Sequence, residues 1–391
     1  MTVPGFAESV RSIPPYPFAR MEEAIQERRR KGQKVIAFNI GDPDVPTPGY
    51  VVEAMASALR DGEYQGYSSA DGEPWFKQAV ADWYRKRFGV DLDPSTEVCA
   101  LMGSKEGLAN ISRAFVNPGE TVLCPDPAYP VYANGGTLLI GGKPDFYPAS
   151  QKISGHLDRS RLRGARLVYV NYPHNPTGLV ADEADLRKVV DDARGSECLI
   201  CYDNAYSELT FGGYRAPSIL QLDREKDVSI ELHSCSKTFA MTGYRIGFAV
   251  GNSKAISGLK KVKSQIDSGP PKFVQHAARV ALQGYAGQDP PKEVREISRT
   301  YEDRLGLFVR GLGELGMQAE MPKGTFYLWQ RVPGTSEDFT EKLLDMGIMV
   351  SPGSAFGDGG EGYVRWSLTQ PADVIEEALE LMRKGLGQTK L

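Results

Sequence analysis

The chain has 391 residues, 41% of them hydrophobic and 25% charged, with a formal net charge of −4. That length exceeds what one small core serves and predicts two or three compact units. No apolar run reaches the roughly 18 residues a membrane helix needs, and the mixed charge forms no basic stripe along the chain. Neither a membrane nor a nucleic-acid partner is expected.

The opening MTVPGFAESVRSIPPYPF has neither the basic block nor the apolar block of a secretory signal. A cytoplasmic location is expected. The proline-rich Ile13–Phe18 segment is stiff and is expected to close over a pocket. MEEAIQERRRKG then reads as a helix whose basic end, Arg28 to Lys31, suits a helix C-terminus. Helices are expected at Gly49–Asp61 and Pro74–Phe88. Pro48 lies near the start of the first, and Gly62 and Gly89 lie just past the two ends. Further helices are expected at Lys105–Phe115 and Asp182–Ala193. Strands are expected at Val98–Met102, Thr121–Cys124, Arg166–Asn171, Cys198–Tyr202, Val228–Ser234 and Gly247–Val250. Several are apolar without alternation, as strands covered on both faces are. Strands alternating with helices predict an α/β unit with a mostly parallel sheet.

After about residue 285 the pattern changes. A long charged helix near Pro291–Gly313 precedes the strand TFYLWQ, a helix, the strand YVRWSLT and a last helix at Ala372–Lys384. This predicts a smaller α+β unit. The expected division is residues 1–48 as an arm and part of the small unit, 49–285 as the large unit, and 286–391 as the rest of the small one. Five cysteines, Cys99, Cys124, Cys198, Cys201 and Cys235, are an odd number, which argues against a disulfide framework. Cys198 and Cys201 spell C-x-x-C inside an apolar strand with no second pair, so no metal is expected.

The richest stretch is Ser234-Cys-Ser-Lys237-Thr-Phe-Ala-Met-Thr-Gly-Tyr-Arg245. It follows a strand directly. An isolated buried ammonium is costly, and desolvation makes a lysine nucleophilic, so a Schiff base to a cofactor aldehyde would explain Lys237. Ser234, Ser236 and Arg245 suit a phosphate. Read alone, the same lysine could snorkel from a strand end. Asn171-Tyr-Pro-His-Asn175-Pro-Thr-Gly178 carries a turn signal, which read alone could be a tight turn between a strand and a helix; functionally, Asn175 could donate to a cofactor's phenolate oxygen. Asp203, in Cys201-Tyr-Asp203-Asn-Ala-Tyr206, ends a strand, where open α/β sheets bind ligands. There it could keep a pyridine nitrogen protonated. It is also a fit N-cap. Gly103-Ser104-Lys105-Glu106-Gly107 opens a helix and can bind phosphate through backbone N–H groups.

Taken together, GSKEG, PDPAYPVY, NPTG, DNAY, the Ser-x-Ser-Lys…Arg run and the late arginine of YVRWSLT resemble the fold-type I pyridoxal-phosphate aminotransferases of class I/II. The resemblance implies an aspartate aminotransferase-like fold: a mostly parallel, mixed seven-stranded sheet flanked by helices, plus a smaller α+β domain. It implies pyridoxal 5′-phosphate on Lys237, which also moves the proton. Asp203 would face the pyridine nitrogen, and Asn175 and Tyr206 the phenolate oxygen. Tyr129 would stack on the ring. Gly103, Ser104, Lys105, Ser234, Ser236 and Arg245 would surround the phosphate, and Tyr67 would reach it from the partner of a homodimer with shared sites. Gly41, Asn175 and Arg365 would hold the substrate carboxylate. Amino and 2-oxo acids would react by a ping-pong route.

Within that family the segments IPPYPFARM, FVNPGETVLCPDPAYPVY, NYPHNPTG, AYSELTFGGYRAPS and MTGYRIGFAVGN resemble the L,L-diaminopimelate aminotransferases. That implies L,L-diaminopimelate as donor, 2-oxoglutarate as acceptor and a place in lysine biosynthesis. The chain departs from the family pattern near Ala70, where Asp71 is the candidate acid, and at Lys272, where a neutral polar residue is expected. Lys272 and Lys105 would favour a distal carboxylate over a distal ammonium; Lys272 also reads as a surface lysine at a helix start. Alternatives are an aminotransferase for another acidic or aromatic amino acid, or a carbon–sulfur β-lyase on the same scaffold.

Overall fold

A computed structural model describes residues 3–386. Its central sheet runs, edge to edge, Val98–Leu101, Gly247–Gly251, Ser229–Ser234, Leu199–Asp203, Leu167–Asn171, Thr121–Asp126 and Lys143–Pro148. All neighbours pair in parallel except Gly247–Gly251, which is antiparallel to both of its partners.

Apart from the edge strand Lys143–Pro148, the strand interiors are buried, and successive residues feed opposite faces. Val98, Ala100, Val168, Val170, Ile200, Tyr202, Phe248 and Val250 join one core, with the helices Pro74–Phe88, Glu183–Ala193 and Lys272–Gln283. Cys99, Leu101, Leu167, Tyr169, Cys201 and Ala249 join the other, under Ser104–Phe115 and Ser253–Lys263. Covering both faces explains why these strands read as continuous apolar runs. Each fully buried large side chain contributes roughly 1.5–3 kcal/mol. Cys198 and Cys201 pack in different cores, so the C-x-x-C spelling is not a structural unit. All five cysteines are buried and free.

Local signals set the helix ends. The Asp182 carboxylate accepts from the N–H groups of Ala184 and Asp185, which starts Glu183–Ala193; Leu186, Val189, Val190 and Ala193 then share its buried face. Gly103, at φ +81°, lets the chain turn sharply from Val98–Leu101 into Ser104–Phe115.

A third core lies under the antiparallel strands Ser351–Pro352, Tyr363–Ser367 and Tyr327–Arg331 and the helices Lys292–Glu314 and Ala372–Leu386. Two segments from elsewhere join it. Ile36–Ala37 pairs in parallel with Ile348–Met349. Ala205, Tyr206, Leu209 and Phe211, which follow the strand Leu199–Asp203, also pack into it. The arm helix Pro17–Arg30 seats Met21 and Ile25 on Met349 and Leu344, and Arg28 pairs with Asp345. The carboxyl ends of the central strands therefore face the third core across a crevice. Among the described residues no helix is long and apolar enough to cross a membrane.

Candidate active site

The crevice contains a cavity of 310 Å³ lined by Gly41, Ser104, Lys105, Tyr129, Asn175, Asp203, Tyr206, Ser234, Ser236, Lys237, Arg245 and Arg365, with Tyr16, Phe18 and Tyr327. Most of the residues singled out from the sequence thus meet in one place. The register explains part of this. Asn171 aligns with Asp203, so two strands end in one row, and Asp203 aligns with Leu232, two residues before Ser234 ends the third.

Asp203 is buried, and its carboxylate accepts from the Tyr132 hydroxyl at 2.7 Å and, more weakly, from the Ala205 N–H at 3.3 Å. Burial pushes this carboxyl up to about 6, against the pull of those donors. The Asn171 carboxamide donates to the Asp203 carbonyl at 2.8 Å and accepts from the Asn175 N–H at 2.9 Å. It ties the Asn175 loop to the sheet.

Lys237 sits in a short helical turn, Cys235–Thr238, capped by the Ser234 hydroxyl. Its ammonium donates to the Gly41 carbonyl at 2.7 Å. Burial pulls the lysine down to about 8, with Asp42 opposing and Arg245 and Arg365 assisting. A reactive neutral amine is therefore accessible near neutral pH.

Ser104, Lys105, Ser234, Ser236, Thr242 and Arg245 line the same cavity at the start of the helix Ser104–Phe115. The first-turn N–H groups and these side chains form a set suited to an anion. Gly103 does not line the cavity; a Cβ there would lie 2.5 Å from an Arg245 guanidinium nitrogen. Its role is to let the arginine approach. Arg245 is itself left-handed, at φ +55°, and donates to the Thr242 carbonyl at 2.9 Å. A non-glycine residue in that region costs on the order of 1 kcal/mol and persists where its surroundings hold it.

Arg365 is 2% exposed. Its guanidinium donates to the Asn175 side-chain oxygen at 2.8 Å and the Asn39 carbonyl at 2.6 Å, while Nε has no protein partner. The rings of Tyr327, Phe356 and Phe18 lie 4.2, 4.6 and 5.4 Å from its central carbon. Burial lowers its pKa, yet an arginine stays charged. A buried charge with a free donor beside a cavity is a site for a carboxylate.

The three groups considered for the distal substrate end separate. Lys105 lines the cavity, its ammonium 5.0 Å from the Tyr16 ring centroid. Asp71 does not line it. Its carboxylate is engaged by Lys77 at 2.7 Å and Lys260 at 3.0 Å. Burial would raise it, but the Lys77, Ser69 and Lys260 donors prevail and hold it at about 2. Asp71 is therefore committed to lysines of its own chain. Lys272 starts a helix outside the cavity, near Gly66 and on the same flank as Tyr67, which is 91% exposed.

Several residues were not singled out from the sequence. Tyr327 shares a hydrogen bond with Tyr206, hydroxyl to hydroxyl, at 2.9 Å; only its place in TFYLWQ pointed to it. Asn171 and Tyr132 lay inside motifs chosen for their neighbours.

The residues present fit pyridoxal phosphate. They offer an anion cradle that a Cβ at Gly103 would crowd, a buried carboxylate at a strand end, and a desolvated lysine between them and a free arginine donor. The family model for aminotransferase class I and II matches residues 33–381. A protein of Moorella thermoacetica named LL-diaminopimelate aminotransferase is 44% identical, over 98% of this chain and 99% of that protein. The apo structure of BacF from Bacillus subtilis superposes with a TM-score of 0.91 at 32% identity, covering 98% of both chains. A Thermus thermophilus aspartate aminotransferase variant gives 0.89 at 27% identity, over 98% of this chain and all of that one (100%). With that agreement over nearly the whole length, the chain belongs to the class I and II aminotransferases and is a pyridoxal-phosphate-dependent transaminase.

Proposed function

We propose that the chain moves an amino group from L,L-diaminopimelate to 2-oxoglutarate, in lysine biosynthesis, as a homodimer with shared sites. The observation that carries this reading is the near-complete, 44% identical match to a protein bearing that donor's name. The site is compatible with it. Arg365 and Asn175 offer one carboxylate grip, and the cavity continues past them to Lys105 and the Tyr16 ring. In this reading residues 49–285 form the cofactor-binding unit, and 1–48 with 286–391 form the smaller one.

When bound, the cofactor supplies an aldehyde carbon and an electron-withdrawing ring that disperses negative charge from the substrate Cα. The phosphate would be held by Ser104, Lys105, Ser234, Ser236 and Arg245, with Gly103 giving room and Tyr67 arriving from the partner. Asp203 would face the ring nitrogen, Tyr129 a ring face, and Asn175 with Tyr206 the phenolate oxygen. Arg365, with Gly41 beside it, orients the donor by its α-carboxylate. The Lys237 amine, once free, would take the proton from the substrate Cα and return it to the former aldehyde carbon, two bonds away across the nitrogen; its desolvation suits both directions near neutral pH. Phe18, Phe356 and Tyr327 around the arginine exclude water and strengthen that ion pair.

A stopped-flow absorbance scan of holoenzyme mixed with L,L-diaminopimelate, without acceptor, tests this. A stoichiometric change in the cofactor band is expected. No change with this donor, but a full change with glutamate, would remove the donor and keep the transaminase. Lys272 and Lys105 would then point to a donor with a distal acid.

A further inference from the structure

We infer that Tyr132 is the positioning residue for Asp203: its hydroxyl fixes one oxygen of that carboxylate and holds it anionic at the cofactor's ring nitrogen. This rests on the assignment of Asp203 given above.

Asp203 has no lysine or arginine within ion-pair distance among the described residues. A buried carboxylate in that position depends on neutral donors. It has two, and the Tyr132 hydroxyl, at 2.7 Å against 3.3 Å for the Ala205 N–H, is the shorter. The other titratable groups around Asp203 are Tyr129, Cys201, Tyr202, Tyr206 and His233. Among them only the imidazole could carry a positive charge, and His233 Nε2 is already 2.8 Å from Glu231.

Tyr132 is itself rigidly held. It is 1% exposed, its ring stacks on Tyr169 with centroids 5.0 Å apart at 22°, and its carbonyl accepts from the Thr137 hydroxyl at 2.8 Å. Tyr169 is fixed in turn by its hydroxyl, which donates to the Leu108 carbonyl at 2.7 Å. A turn in which the Tyr132 N–H reaches the Tyr129 carbonyl at 3.2 Å sets the two tyrosines at right angles (89°). One short segment thus provides both the ring proposed to face the cofactor and the donor that holds its acidic partner. Without that O–H a buried oxygen loses its main donor, and the neutral form of Asp203 gains. A neutral acid cannot keep a pyridine nitrogen protonated.

Tyr132→Phe removes one oxygen and keeps the ring stack. In the apoenzyme labelled with carboxyl-13C aspartate, the Asp203 resonance, assigned by its loss in Asp203→Asn, is expected to titrate at higher pH than in the unmodified protein. The dissociation constant for pyridoxal 5′-phosphate, read by fluorescence at pH 7, should rise about tenfold or more, and kcat should fall with KM for the oxo acid nearly constant. Site-specific replacement of Tyr132 by 3,5-difluorotyrosine, a stronger donor of the same shape, should move the titration the opposite way. Tyr169→Phe, which touches Leu108 and not Asp203, should leave it unmoved. An Asp203 titration unchanged in both Tyr132 variants overturns the proposal, and the difluorotyrosine arm decides it if Tyr132→Phe does not fold. Normal cofactor affinity and turnover in Asp203→Asn would instead overturn the assignment of Asp203, and the proposal with it.

Discussion

His174 shows how a buried group beside the site can leave its mark on the whole protein. Its Nδ1 lies 2.7 Å from the Thr177 hydroxyl, and its buried Nε2 has no partner. Burial pulls it down to about 3. A proton on Nε2 would be an unpaired charge in the core. The folded value lies below the unfolded one near 6.5, so stability is full above 6.5 and is lost as pH falls toward 3. Asp203 and Glu106 act the other way. Burial raises them to about 6 and about 7, so their contributions fade as pH rises through those values. A bare melting curve mixes these effects. Comparing apo wild type with apo His174→Gln isolates the histidine. Between pH 7 and 5 the wild type should lose on the order of 2 kcal/mol relative to the variant, measured by urea unfolding. Parallel pH profiles would mean that His174 titrates alike in the folded and unfolded chain, and that its burial costs the proton nothing.

At the scale of elements, six of the seven sheet strands were legible because each is covered on both faces and reads as an apolar run. Their ends shifted by a residue or two: Thr121–Cys124 runs on to Asp126, and Cys198–Tyr202 runs Leu199–Asp203. The missing strand, Lys143–Pro148, lies at the sheet edge, is largely exposed, and carries Pro144 and Pro148. Edge strands tolerate proline, and that same residue hides them from a pattern search. The site followed the same logic. Residues in strand-end motifs were visible. Contacts between distant segments were not: Tyr206 with Tyr327, Tyr132 with Asp203, and Asp71 with Lys260. No local pattern encodes such a pairing. The arm is a third case. Its prolines suggested a stiff segment, and Tyr16 and Phe18 do line the cavity, over Lys105 and Arg365. Deleting residues 1–16 should therefore raise KM for the donor about tenfold, an effect near 1.4 kcal/mol, with kcat changed much less. Steady-state kinetics over a donor series checks this, and an unchanged KM would make the arm a bystander.

For the whole molecule, Tyr67, Met102 and Ile266 are large apolar groups left exposed, and Tyr67 makes no contribution to the cavity of its own chain. A ring left 91% exposed gains a reason if a second copy supplies it to the facing site. Shared sites make a quantitative demand on mixed dimers. Lys237→Ala should be inactive because nucleophile and base vanish together, and Tyr67→Ala should be impaired because the phosphate loses a donor. In a heterodimer of the two, the Tyr67→Ala chain keeps its lysine and receives an intact Tyr67 from its partner, so one site is whole and the other carries both defects. The isolated heterodimer has one good site in two, so its activity should recover to about half of wild type. Co-expression with distinct tags, sequential affinity purification and an oxo-acid assay would measure it. Recovery no greater than the mean of the parent variants would mean that each site is complete within one chain and that Tyr67 serves only the surface between them.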